Sequence, residues 1–94
     1  MSQLKYFLIN PIKINVKNLD FGTAKAMADE RVKRLSPDPM LLSWYNGRTG
    51  EHFPDVDCHG KDKPAWIIYA ESRGGDITID INQEEYVFIY KSFP

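Results

Sequence analysis

The chain has 94 residues, a formal net charge of −1 and 43% hydrophobic residues, which indicates one globular domain over residues 1–94. The near-neutral charge argues against a dedicated nucleic-acid-binding protein, because such proteins normally carry a strongly basic surface. No apolar stretch approaches the ~20 residues of a membrane span, and no signal-peptide core is recognisable. Cys58 is the single cysteine and allows no internal disulfide. We therefore expect a soluble cytoplasmic protein.

The first third of the chain predicts β-structure followed by one helix. Residues 6–9 are β-prone, and apolar residues at 12, 14 and 16 alternate with polar ones, as in a half-buried strand. Asp20 is a suitable helix N-cap, and apolar residues at 21, 24, 28, 32 and 35 then share one face of an amphipathic helix. Pro37 and Pro39 exclude any continuation of that helix.

The remainder predicts an antiparallel meander. Strands at 40–45 and 51–53 flank a turn at 46–50, and 54–64 reads as an irregular loop. Strands at 65–73, 76–82 and 85–91 are joined by tight turns at Gly74-Gly75 and Gln83-Glu84. The first turn pairs Ala70 with Ile79, and the second pairs Ile81 with Tyr86 and Ile79 with Phe88. Both turns thereby put Ile79 and Ile81 on a core face beneath the helix and leave the opposite face mostly polar and exposed. The expected fold is α+β, an antiparallel sheet of four to six strands with one amphipathic helix packed on one face.

The loop at 54–64 concentrates residue types that carry chemistry. Asp55, Asp57 and Gly60 have the spacing of the start of a calcium loop, but no closing glutamate follows. His52, Cys58, His59 and an aspartate are suitable zinc ligands, but adjacent residues such as Cys58 and His59 rarely both reach one metal, and a second cysteine pair is missing. We therefore predict no metal and no cofactor. The catalytic candidates are Cys58, His59 and Asp57, with the thiolate as nucleophile; the alternative is a buried thiol that anchors the loop.

The polar sheet face is one candidate binding surface. An apolar strip of Ile67, Val87 and Ile89 is predicted to cross it, and apolar groups ringed by polar ones are typical of interaction surfaces. The alternative is an ordinary hydrated face with cross-strand ion pairs. The candidate binding residues on this face are Tyr69, Glu71, Arg73 and Asp80.

The turn at 46–50 is the other candidate binding surface. Trp44 precedes it and Arg48 lies at its tip, and an aromatic side chain beside an arginine suits a protein partner or stacked bases. The alternative is a core position for Trp44, because strand alternation turns either Trp44 or Tyr45 inward.

Several short segments together resemble a family of small uncharacterised prokaryotic proteins catalogued as a domain of unknown function. The resemblance covers about residues 40–90 and implies a bacterial or archaeal protein, without identifying a catalytic residue. It rests on Ser43-Trp44-Tyr45, Pro54-Asp55, Cys58, Pro64-x-Trp66, the run from Tyr69 to Gly75, and Tyr86-x-Phe88.

No recognisable catalytic set is assembled, so a small non-enzymatic binding or protein-interaction domain is the favoured function. A small enzyme or redox protein using Cys58 with His59 or Asp57 is the first alternative, and a nucleic-acid-binding protein is the second. The expected partner is a protein or a small molecule, and a homodimer is possible because two-fold pairing is the commonest assembly. Neither nucleic acid nor a membrane is an expected partner.

Overall fold

The structure is a computed structural model that describes residues 11–54 and 64–92. Within these residues it has seven elements: β1 (Ile12–Ile14), α1 (Phe21–Lys33), β2 (Met40–Asn46), β3 (His52–Phe53), α2 (Ala65–Ser72), β4 (Ile77–Ile81) and β5 (Tyr86–Lys91). The strands form one sheet in the order β1-β4-β5-β2-β3, antiparallel except for the β1–β4 pair. The α+β class and the mainly antiparallel sheet are confirmed. The prediction for residues 6–9 lies outside the described residues.

Helix α1 forms as its sequence predicts. The Asp20 side chain caps the helix by accepting a hydrogen bond of 2.7 Å from the Thr23 amide. Ala24, Ala28 and Val32 are fully buried along one face and pack against the sheet in a first core cluster that includes the inward residues of β4 and β5. This cluster holds α1 against the face of the sheet where we expected it.

The β4–β5 hairpin has the predicted register. Ile81 pairs with Tyr86 and Ile79 with Phe88, which directs these side chains into the first core cluster. Strand β1 then pairs with β4 in parallel, and Ile12 lies opposite Ile79. The antiparallel meander is therefore closed at this edge by one parallel strand, which the sequence pattern did not reveal.

The turn between β4 and β5 is left-handed over three consecutive residues that are not glycine. Asn82, Gln83 and Glu84 have φ angles of 54°, 55° and 69°, a conformation that costs ~1–2 kcal/mol for each residue with a side chain. The Asn82 side chain offsets part of this cost. Its Oδ1 accepts from the Val16 amide at 2.8 Å, and its Nδ2 donates to the Val16 carbonyl at 2.6 Å.

Residues 65–73 were predicted to be a strand, and this is wrong, because Ala65–Ser72 form helix α2. Trp66, Ile67 and Ala70 are buried at helical spacing. The Gly74-Gly75 pair ends the helix instead of turning a hairpin. Gly74 has a φ of 80° and donates to Glu71, while the Gly75 amide donates 2.8 Å to the Ala70 carbonyl. This pair of bonds is a Schellman motif.

Helix α2 covers the sheet face that was expected to be exposed. Val87 and Ile89 have 0% exposure and form a second core cluster with Leu42 and the buried side of α2. The predicted pairing of Ala70 with Ile79 is therefore wrong, and the predicted apolar strip is interior. The sheet lies between two helices, with one hydrophobic cluster on each face.

Gly75 is required by a close approach between α2 and the sheet, not by a positive φ. A Cβ atom there would lie 2.9 Å from Ile89 Cγ2 and 3.1 Å from the Ala70 carbonyl oxygen. Because the carbonyl is part of the Schellman motif, it cannot move freely. We predict that Gly75→Ala lowers the free energy of unfolding by about 1–3 kcal/mol, the usual cost of overpacking, as measured by urea denaturation.

Gly22→Ala is the matched control for this prediction. Gly22 is in α1, and an added Cβ there would lie 3.8 Å from the nearest atom, Asp20 Oδ1. We expect this variant to gain ~0.5–1 kcal/mol from its better helix propensity. If both alanine variants were stabilised, the contact between α2 and the sheet would be looser than described.

The left-handed turn predicts that Gln83→Gly is stabilising. Gln83 is exposed, with a φ of 55°. Removing its Cβ relieves ~1–2 kcal/mol of backbone strain in the folded protein. The greater conformational entropy of glycine in the unfolded chain lowers the stability by ~0.4–1 kcal/mol. The net gain should be about 0.5–1 kcal/mol in urea denaturation, whereas Gln83→Ala, which keeps the Cβ, should gain nothing. An equal effect of the two substitutions would show that the backbone at Gln83 is not strained.

Candidate functional site

The turn after β2 is held tightly against the rest of the sheet. The Gly47 amide donates to the Glu85 carbonyl at 2.7 Å. A Cβ atom on Gly47 would lie 2.2 Å from the Glu84 carbonyl oxygen, so only glycine fits there. The turn closes on itself through the Asn46 amide, which donates to the Glu51 carbonyl at 2.8 Å. The β2–β3 hairpin is thus anchored on the left-handed turn between β4 and β5.

Three aromatic rings extend from the first core cluster to the surface of this hairpin, and we call Phe21, Trp44 and Phe53 the aromatic patch. The Trp44 ring centroid lies 4.5 Å from that of Phe21 and 6.2 Å from that of Phe53, with the Trp44 and Phe53 planes 14° apart. Phe21 also contacts the core ring of Phe88 at 5.6 Å. Phe53 remains 48% exposed, so the patch presents an apolar surface fixed from beneath.

A cavity of about 350 Å³ adjoins the aromatic patch and is lined by Trp44, Gly50, Glu51 and His52. His52 Nδ1 lies 3.3 Å from the Pro54 carbonyl oxygen, which favours a proton on Nδ1 and leaves Nε2 as an acceptor. The cavity therefore combines an indole face with a carboxylate and an imidazole. Such a mixture suits an apolar group with a polar edge.

Arg48 supports the hairpin from the side. Its Nη1 donates to the Leu19 carbonyl at 3.2 Å, and the Tyr86 hydroxyl donates to the same oxygen at 3.1 Å. The neighbouring Tyr86 hydroxyl raises the pKa of Arg48, and an arginine guanidinium is charged in any case. The arginine predicted to bind a partner thus also holds the segment before α1; binding by Arg48 stays a prediction.

The strand alternation at Trp44 and Tyr45 sends both rings against the core, on opposite faces. Trp44 packs against the first core cluster and Tyr45 against the second. The Tyr45 ring stacks on Trp66 of α2 with centroids 5.3 Å apart and planes at 7°. Trp44 is therefore both a partly buried core residue and part of the exposed patch, where the sequence offered these as alternatives.

The residues predicted on the polar sheet face lie on two different elements. Tyr69 and Glu71 belong to α2, with Arg73 at its C-cap, whereas Asp80 belongs to β4. The Arg73 guanidinium carbon lies 3.9 Å from the Tyr69 ring centroid, a cation–π contact on the helix surface. The exposed sheet face that was to unite the four residues does not form, because α2 covers it. Their individual binding roles stay predictions.

Asp80 supports the left-handed turn from beneath. The residue is 5% exposed, and its Oδ1 accepts a hydrogen bond of 2.6 Å from the Glu84 amide. Burial raises the pKa of Asp80, an effect opposed by that hydrogen bond and by the nearby charge of Lys13. Asp80 therefore stabilises the strained turn, and sequence reasoning missed this structural role.

The raised pKa of Asp80 makes stability depend on pH. Below its ordinary pKa of 3.8 the carboxyl favours folding, and this contribution is lost as the pH rises through the folded-state pKa. Asp80→Asn cannot ionise and keeps an oxygen for the Glu84 amide. We predict that its stability relative to wild type increases from pH 3 to pH 7, measured by urea denaturation at each pH.

Asp20→Asn is the control of opposite sign. The hydrogen bond from the Thr23 amide lowers the pKa of Asp20, so its contribution is present at neutral pH and lost as the pH falls. The stability of this variant relative to wild type should decrease from pH 3 to pH 7. A pH-independent difference for Asp80→Asn would mean that its carboxyl is solvated in the folded protein.

The predicted catalytic residues Cys58, His59 and Asp57 lie outside the described residues. Within residues 11–54 and 64–92, no group of three histidine, cysteine, aspartate or glutamate side chains is placed to hold a metal ion. In the same part of the chain, no helix has both the length and the apolar character needed to cross a bilayer.

Phe53 is the binding candidate that sequence reasoning missed. It was assigned only to a short return strand. The predicted turn at 46–50 pairs Trp44 with His52, whereas the structure pairs Trp44 with Phe53. Directly opposed residues share a face, so this difference of one residue hid the contact between the two aromatic rings.

A five-stranded, mainly antiparallel sheet between two helices defines this protein as an α+β domain. The chain belongs to the family described as Domain of unknown function (DUF5619), whose model matches residues 9–90. The resemblance predicted from residues 40–90 is therefore confirmed, and the match reaches close to the start of the chain. The description of the family names no activity.

Two comparisons with archaeal proteins agree with this assignment. An uncharacterised protein of Archaeoglobus fulgidus is 34% identical over 82 residues, which cover 86% of this chain and 87% of the relative. The crystal structure of protein AF1514 from Archaeoglobus fulgidus superposes with a TM-score of 0.80 and 27% identity, covering 93% of this chain and 98% of that one. Neither description states a ligand or a reaction.

Proposed function

We propose that this protein is a non-enzymatic binding domain that recognises a protein partner through the aromatic patch and its adjoining cavity. A cytoplasmic location belongs to the same proposal. The observation that carries it is the exposed Phe53 ring stacked on Trp44 beside the cavity. Interface hot spots are typically aromatic residues that adjoin a pocket able to receive a side chain.

The anchoring of the hairpin supports this function. Gly47 is locked against the β4–β5 turn, and Trp44 is fixed by Phe21 from below. A surface that is already ordered loses little conformational entropy when a partner binds, so more of the contact energy appears as affinity. The remaining large hydrophobic residues that are exposed, Leu35 and Met40 among the described ones, do not line this cavity.

The charges around the patch favour a protein over a nucleic acid. Glu51 lines the cavity, and a carboxylate there would repel phosphates. The guanidinium of Arg48 donates to the Leu19 carbonyl, which restricts its reach. The net charge of −1 supplies no general attraction for a polyanion.

We predict that Phe53→Ser weakens partner binding by about 30-fold or more, the effect of losing a hot spot worth ~2 kcal/mol. The matched control is Leu35→Ser, which removes an aliphatic side chain that is 56% exposed and lies outside the patch. Both positions are exposed, so the folds should survive, as checked by circular dichroism. Quantitative affinity enrichment with wild type and both variants identifies proteins lost only with Phe53→Ser.

An indole titration followed by ¹⁵N NMR tests the patch without knowledge of the partner. Shift changes should concentrate at residues 44 and 50–53, disappear in Phe53→Ser and persist in Leu35→Ser. Changes spread evenly over the surface would contradict the proposal. Light scattering showing a dimer that only Phe53→Ser dissociates would identify the partner as a second copy. Tight, salt-sensitive binding of a single-stranded oligonucleotide would favour the nucleic-acid alternative.

A further inference from the structure

A second cleft, independent of the proposed function, lies between α1, the start of β2 and the end of β5. It has a volume of about 230 Å³. We call it the lysine cleft. It is lined by Lys25, Asp29 and Lys33 of α1 together with Pro39, Leu41 and Tyr90.

The three charged residues of the lysine cleft are spaced four apart along α1 and therefore share one face of the helix. Asp29, the middle residue, is held by two donors. Lys25 Nζ donates to its Oδ2 at 2.8 Å, and the Tyr90 hydroxyl donates to its Oδ1 at 2.5 Å. Both carboxylate oxygens are thereby fixed, and the negative charge is offset inside the network.

Tyr90 makes this network part of the protein interior. The residue is 2% exposed, and burial, followed by its hydrogen bond to Asp29, raises the pKa of the phenol. The hydroxyl therefore stays protonated and keeps donating to Asp29. A buried hydroxyl fixed in this way forms an ordered polar floor for the cleft.

Lys33 supplies a positive charge that the cleft itself does not neutralise. Among the described residues, no carboxylate forms an ion pair with Lys33, whereas Lys25 pairs with Asp29 and Arg34 pairs with Glu30. Two lysines and one aspartate leave the cleft with a net charge of +1. Leu41 and Pro39 add an apolar wall. A cleft of this charge and size suits a small anion that consists of little more than its charged group.

We propose that the lysine cleft binds a small oxyanion, a phosphate or a carboxylate, through the ammonium group of Lys33, with Lys25 as the second positive neighbour. Asp29 and Tyr90 act as positioning residues, because they hold Lys25 at the cleft. The simpler explanation is that Lys33 only complements the carboxyl end of the α1 dipole. That explanation predicts no saturable ligand.

The test is a ¹⁵N NMR titration of the whole chain with sodium phosphate, and separately with sodium acetate, at constant ionic strength maintained with sodium chloride. We expect saturable shifts at residues 25, 29, 33, 41 and 90 with at least one of the two anions. A phosphate response alone identifies phosphate as the ligand class, and a response to acetate identifies a carboxylate site.

Lys33→Met keeps the length of the side chain and removes its charge, and it should weaken the affinity at least tenfold. Lys17→Met is the matched control, since Lys17 is an exposed lysine outside the cleft, and should change the affinity less than twofold. Lys33→Arg should retain binding. Shifts that do not saturate, or equal losses in the Lys33→Met and Lys17→Met variants, would overturn the proposal. None of these outcomes depends on the aromatic patch.

Discussion

Burial of β5 on both of its faces is the constraint on which the rest of the fold depends. Tyr86, Phe88 and Tyr90 pack toward α1, while Val87 and Ile89 pack toward α2. A strand with apolar side chains on both faces needs a cover on each side, because neither face can be left in water without losing ~25 cal/mol per Å² of buried apolar surface. Two helices around one sheet is the arrangement that supplies both covers.

The apolar residues on both faces of β5 are visible in the sequence, but the prediction placed a helix over only one face. The periodicity of α1, the Asp20 cap and the register of the β4–β5 hairpin depend on local spacing, and all three are confirmed. Helix α2, the cover on the second face, was missed because Trp66, Ile67 and Tyr69 are also typical strand residues. A short apolar run does not distinguish a helix from a strand. The Gly74-Gly75 pair is likewise ambiguous, since glycine ends helices as readily as it turns hairpins.

The candidate site was predictable to the extent that it depends on one hairpin. Trp44 was found because it precedes the turn at 46–50, and Arg48 because it lies at the tip of that turn. Phe53 was missed because the predicted turn pairs Trp44 with His52, one residue away from the observed register. The support beneath the hairpin was not predictable. It requires a left-handed backbone at Gln83 and Glu84. The side chains disfavour that conformation, a two-residue hairpin turn favours it, and tertiary contacts from Asn82 and Asp80 hold it in place.

Those tertiary contacts connect the strained turn to the surface that we propose binds a partner. Asp80 holds the Glu84 amide, and the turn in turn brings the carbonyls of Glu84 and Glu85 against Gly47. Backbone strain persists only where the surrounding structure fixes it, and such places are often functional. Here the strained segment orients a hairpin that carries a half-exposed aromatic ring. A two-residue hairpin turn favours positive φ at both central residues because that backbone matches the twist of the strands. In this chain the same conformation also brings the carbonyls of Glu84 and Glu85 to the hairpin, so the turn that joins β4 to β5 also positions the aromatic patch.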